Sequence, residues 1–121
     1  MSHQAHNPEL YVGRVVGNGE CAVFVERVSN CGVTSGWRAG QRVHDAHLGT
    51  IARGTIIATM VDGHYPNHKH GNHAAVYMSH DAHGIQVIDQ WHGQPVHHRT
   101  IWWRGGHGSP SNDGDAFYVI D

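Results

Sequence analysis

His73-Ala74-Ala75-Val76-Tyr77-Met78, then Ser79-His80-Asp81-Ala82-His83-Gly84, then Ile85-Gln86-Val87-Ile88-Asp89-Gln90-Trp91 is the stretch on which the reading of the fold turns. Two runs rich in β-branched and aromatic residues flank a polar, turn-forming segment, which is the pattern of an antiparallel hairpin. With the tip centred on Asp81, His73 pairs with Asp89, and their Cβ atoms lie roughly 5 Å apart on one face of the sheet. A one-residue slip would send the two to opposite faces, and a connection this long does not by itself set the register.

Outward from the hairpin, further runs of Val, Ile, Thr and aromatic residues predict strands over 54–61, 99–103 and 116–120, punctuated by several of the chain's sixteen glycines. Residues 105–114 read as a loop ahead of the last strand. Upstream lies an irregular stretch with Gly32, Gly36 and Gly40 around Trp37. Before it, residues 20–29 predict a helix, with Asn18 as N-cap and Glu20 in the first turn, where the helix dipole favours negative charge. Cys21, Val25 and Val28 recur at i, i+4 and i+7 and so share the inward face. The expected fold class is α+β, a helix followed by an antiparallel meander of five to six strands.

A chain of 121 residues, 39% of them hydrophobic, is one domain's worth of material. We read 1–121 as a single domain with a mobile segment over 1–10. Eight Lys+Arg against ten Asp+Glu, with Lys69 as the one lysine, leave no basic tract to neutralise phosphates or anionic lipid. Nucleic acid and membrane are therefore poor partners. No apolar run reaches the ~20 residues of a membrane span, and the amino terminus lacks the blocks of a secretory signal, so synthesis in the cytoplasm is expected. In a reducing compartment Cys21 and Cys31 are free thiols, with a Cys21–Cys31 bridge as the alternative. Fourteen histidines make the formal charge of −2 sensitive to pH as it passes through ~6.5.

A thiol in the first turn of a helix is activated by the dipole and again by a neighbouring imidazolium, which together lower its pKa from about 8.5 toward 7 or below. Nucleophilic chemistry also needs a base within reach and a third group to hold that base. His73 and Asp89 fit those roles if the helix packs on the hairpin face that carries them. Cys21 as a small buried apolar residue is the competing reading. Trp37 and its glycines are a candidate groove wall, against the reading of Trp37 as a core tryptophan.

Residues 19–25 opening a helix with Cys21, residues 71–77 opening a strand with His73, and Asp89 within residues 87–91 of the next strand resemble the papain-like amidases of the NlpC-like and CHAP type. The order Cys, His, acid matches, and the likeness spans roughly residues 11–91. The whole chain, with residues 34–40 and 112–117, is also similar to small bacterial amidase effectors of type VI secretion. The resemblance implies a papain-like domain that hydrolyses an amide or peptide bond of cell-wall peptidoglycan without a cofactor. It assigns Cys21 as nucleophile, His73 as base and Asp89 as orienting acid, with Gln90 and His92 as alternatives for the third position. The backbone N–H of Cys21 is the first oxyanion donor, and Tyr11 is a candidate assisting residue upstream of the cysteine. It further implies a cognate inhibitor protein that blocks the cleft, and action in the periplasm or on the wall after delivery.

Two other classes stay open. His64, His68, His70 and His73 have a spacing compatible with zinc, nickel or copper, which would make the chain a metal-binding module. A papain-like fold with an idle site would bind without turning over.

Overall fold

The computed structural model describes residues 2–66 and 68–121. One α-helix, α1 (Cys21–Val28), is followed by six strands: β1 (Ala39–Arg42), β2 (Ile56–Thr59), β3 (Ala74–His80), β4 (Gly84–Trp91), β5 (Gln94–Trp102) and β6 (Phe117–Ile120). They form one antiparallel sheet in the order β1-β6-β2-β3-β4-β5. The α+β class and the strand number are as expected. The meander covers only β2 to β5, because β6 returns across the sheet to lie between β1 and β2. Among the described residues no helix is long and apolar enough to cross a membrane.

Alternation sorts the sheet residues onto two faces. Ile56, Ala58, Ala74, Val76, Met78 and Ile88 pack with Phe24, Val25 and Val28 of α1. Ile57, Ala75, Tyr77, Ile85, Val87 and Phe117 form a second core, closed by Val43 and Trp103 from connecting segments. Both faces are covered, which is why β2 reads as a continuous apolar run. Each fully buried Val, Ile or Phe contributes roughly 1.5–3 kcal/mol.

β1 and the first half of β5 escaped the sequence pattern. β1 is Ala-Gly-Gln-Arg and carries no apolar alternation. β5 starts five residues earlier than expected, through Gln94, Pro95, His97 and His98, because it is the sheet's outer strand and its alternate residues are only partly buried. Proline is tolerated at such an edge. Gly84 is needed where β4 begins, since a Cβ there would lie 2.4 Å from the Ile101 carbonyl oxygen.

The helix starts one residue later than predicted. Glu20, with extended backbone, is the N-cap, and Asn18 Oδ1 instead accepts the Glu20 N–H at 3.1 Å. Gly19 at φ 90° turns the chain between them, so Asn18 closes a local turn rather than capping the helix. Within the first ten residues, where mobility was expected, the N–H groups of Ala5 and His6 donate to the Gly54 and Val28 carbonyls, and the His3 carbonyl accepts from Ile56, each at 2.8 Å.

Candidate active site

β3 and β4 pair as Val76↔Ile88 and Tyr77↔Val87, with an irregularity between Tyr77 and Ser79. The expected register, with 73 opposite 89, is therefore displaced by two residues. A two-residue shift preserves the face, whereas a one-residue shift would not. His73, just before β3, and Asp89 become diagonal neighbours, and His73 Nε2 lies 2.6 Å from Asp89 Oδ2. Their parity is that of the second core, and His73 meets the edge of Phe117. The helix covers the other face, contrary to the expected arrangement. The thiol and imidazole meet at the end of the sheet, where the first residue of α1 reaches the residue before β3.

Backbone bonds to the buried Thr59 of β2 fix His73 in place. The Thr59 N–H donates to the His73 carbonyl at 2.9 Å, and the His73 N–H donates to Thr59 Oγ1 at 3.0 Å. With Nε2 on the carboxylate, Nδ1 is the nitrogen left to face Cys21. Burial pulls the His73 pKa down, but the hydrogen bond to Asp89 and the interaction with Cys21 overrule it and push the value up to about 9. Burial likewise raises the Cys21 thiol, yet His73, the Ala74 N–H and Tyr65 together bring it below its ordinary value. Two mutually reinforcing shifts of this kind favour a thiolate–imidazolium pair.

Asp89 is fully buried and is held below the usual carboxylate range. Burial opposes ionisation, while His73 and then Arg99 favour it. Arg99 Nε donates to Asp89 Oδ2 at 2.7 Å, and its guanidinium stacks over the Trp91 ring at 5.0 Å. His97 Nε2 lies 3.1 Å from Asp89 Oδ1 but is not aligned for a hydrogen bond. Trp91, 40% exposed, makes T-shaped ring contacts with both His73 and His97.

The cleft over these groups has a volume of about 640 Å³ and is lined by Cys21, Tyr65, Asn72, His73, Trp91 and His92 among others. Tyr65 places its hydroxyl 3.9 Å from the Cys21 sulfur, and burial followed by the nearby thiol raises its pKa. Nothing in residues 64–66 signalled this position, since they lie in a loop without periodicity. His97 was hidden in the polar half of β5, and Arg99, at the start of the expected strand, carried no signal of its role.

Other expected residues sit elsewhere. Trp37 is 1% exposed, and its Nε1 donates to the Cys31 and Gly32 carbonyls, so it is a core residue and no groove wall. It supports Tyr65 through an edge contact at 4.8 Å. Tyr11 packs on Phe24 and does not line the cleft. Of the alternatives for the third position, Gln90 is occupied by backbone partners of residues 16 and 20, and the exposed His92 lies 3.9 Å from Glu20 Oε1. Of these three, Asp89 is the one whose side chain bonds His73. Both cysteines are free. Among the described residues no three His, Cys, Asp or Glu side chains converge as metal ligands, and His73 of the histidine run is committed to Asp89.

The first N–H groups of a helix have no partner within it, so the Cys21 N–H is available beside its own sulfur. A thiolate, a general acid–base imidazole held by a carboxylate, and a backbone donor at a helix start can together cleave an acyl bond.

The profile of the family described as "Domesticated amidase effector 2" matches residues 1–120. The chain is 32% identical over 119 residues to the type VI secretion amidase effector 2 protein of Salmonella typhi, covering 88% of each chain. It is 37% identical over 123 residues to domesticated amidase effector 2 of Ixodes scapularis, covering 95% of this chain and 82% of that one. A solved structure titled "Type 6 secretion amidase effector 2" superposes with a TM-score of 0.83 at 31% identity, covering 98% of this chain and 93% of the other.

Proposed function

The chain belongs to the domesticated amidase effector 2 family, and on that premise we propose that it is a cysteine amidase cutting an amide bond of bacterial cell-wall peptidoglycan, with Cys21, His73 and Asp89 as its catalytic residues. The observation that carries the reading is the junction of the lowered Cys21 thiol and the Asp89-bound His73 in one open cleft.

In the first half-reaction the Cys21 thiolate attacks the amide carbonyl carbon. Charge develops on the carbonyl oxygen, toward which the Cys21 N–H is directed from the helix start. Collapse breaks the C–N bond, His73 gives its proton to the leaving amine, and the acyl group remains as a thioester on Cys21. Water then attacks the thioester while neutral His73 accepts its proton. The carboxylic acid leaves, and the thiolate–imidazolium pair is restored. Asp89 holds the ring through Nε2 and stabilises its cationic form.

As an effector, the protein would act on the wall of a target cell after delivery, and a cognate inhibitor closing the cleft would protect its producer. The 1–121 chain would work as a single catalytic domain. Purified cell walls incubated with wild type should release new amine ends and defined muropeptides, identified by mass, and Cys21→Ala should release none while keeping its far-UV spectrum. Undiminished release by Cys21→Ala would overturn the mechanism.

A further inference from the structure

The site described so far uses one face of β4, and the other face carries a buried polar side chain that the chemistry does not touch. Gln90 has no exposed surface. Its Oε1 accepts the Val16 N–H at 2.9 Å, and its Nε2 donates to the Val16 and Glu20 carbonyls, both at 2.9 Å. Both amide protons and one oxygen lone pair are thus used on backbone 70 or more residues away, in the segment that feeds α1. The paired bonds to Val16 reproduce the two-bond exchange of neighbouring strands.

The Glu20 carbonyl belongs to the same peptide unit as the Cys21 N–H. Because a peptide is planar, a donor fixed on its oxygen also fixes the direction of its N–H. Accepting a hydrogen bond at oxygen also polarises the amide, which strengthens the N–H as a donor. The β4–β5 register shifts between Asp89 and Trp91, where Pro95 and Val96 of β5 together stand opposite Gln90.

We propose that Gln90 is a positioning residue that holds the Glu20–Cys21 peptide, and with it the oxyanion donor and the Cys21 sulfur, in register with His73. Adjacent residues of one strand then set both halves of the machinery: Asp89 orients the base from one face and Gln90 orients the nucleophile's backbone from the other. The alternative is that Gln90 only satisfies buried backbone groups and stabilises the fold. The proposal rests on Cys21 being the nucleophile, so the test reads the thiol both with and without substrate.

Gln90→Met keeps the length and volume and removes all three bonds. With a soluble muropeptide the expected result is a fall in kcat of about tenfold to a hundredfold, short of the full loss of an oxyanion donor, with KM within about threefold of wild type. Independently of substrate, the pH midpoint for alkylation of Cys21 by iodoacetamide, located by mass spectrometry with Cys31 as internal reference, should move up toward that of an ordinary thiol. A folded Gln90→Met with wild-type kcat and an unmoved midpoint overturns the proposal. If Gln90→Met does not fold, Gln90→Asn, one methylene shorter but still an amide, is expected to show the same two changes. A chain that folds with neither substitution assigns Gln90 to stability alone and also overturns it. Activity retained by Cys21→Ala would instead sink the catalytic assignment while leaving the alkylation shift readable.

Discussion

Cys21 and Cys31 lie ten residues apart at the two ends of the same helix, and the structure treats them in opposite ways. Cys21 is the first residue of α1, at the positive end of the helix dipole, beside His73 and open to the cleft. Cys31 lies past the other end, buried, with its sulfur toward the Val25 and Gly32 carbonyls, and burial raises its pKa. Burial raises both thiols, and only at Cys21 do His73, the Ala74 N–H and the Tyr65 hydroxyl reverse the sign. Position relative to a base and a helix start, rather than exposure, decides which thiol is reactive.

The largest expected break in this comparison is Cys21→Ala, which should lower amide cleavage by at least about a thousandfold, against less than about twofold for Cys31→Ala, measured on the same cell-wall preparation. His73→Ala removes the cation partner and the proton donor together. It should cost about a thousandfold in turnover and return Cys21 alkylation to the pH range of an ordinary thiol.

Asp89→Asn comes next. It should lower kcat about a hundredfold and draw the His73 pKa down from about 9, which moves the alkaline limb of the pH–rate profile to lower pH. Because Arg99 loses its buried partner, chemical denaturation should also show a stability loss of about 3 kcal/mol.

In wild type, activity should decline as pH rises through about 9, where His73 loses the proton it must give to the leaving amine. Stability follows the same linkage. The folded His73 pKa lies above its unfolded value of about 6.5, so its contribution is complete below that pH and is lost as pH rises through about 9. Asp89 is depressed, so its contribution is present above about 3.9 and fades as pH falls through its folded value. A series of Tm values across pH checks both limbs. The smallest effect is Cys31→Ala, a loss of about 1 kcal/mol from a small cavity, seen as a Tm lowered by a few degrees.

Local pattern made much of the fold and the core of the site legible. The spacing of Cys21, Val25 and Val28 revealed the helix and its inward face, and the two apolar runs around residues 79–84 revealed the hairpin. Cys21, His73 and Asp89 could be singled out because each stands at the start of, or within, a readable element. Arg99, His97 and Tyr65 could not. The first two lie in an outer strand whose half-exposed residues break alternation, and Tyr65 lies in a loop, where proximity to the sulfur leaves no periodic trace. Trp37 stayed between two readings, of which the structure bears out the core one, because a tryptophan among glycines reads alike whether it lines a groove or fills a core.

The sequence by itself determined the helix and most of the strands, the order of the reactive residues and the scarcity of lysine and arginine, since those depend on composition and on contacts within a few residues. Tertiary structure alone decided the two-residue shift that set His73 diagonal to Asp89, the return of β6 between β1 and β2, the helix covering the opposite face, and the attachment of Gln90 to Val16 and Glu20. Strand register and face pairing follow from packing between segments tens of residues apart, and no short-range periodicity encodes that energy.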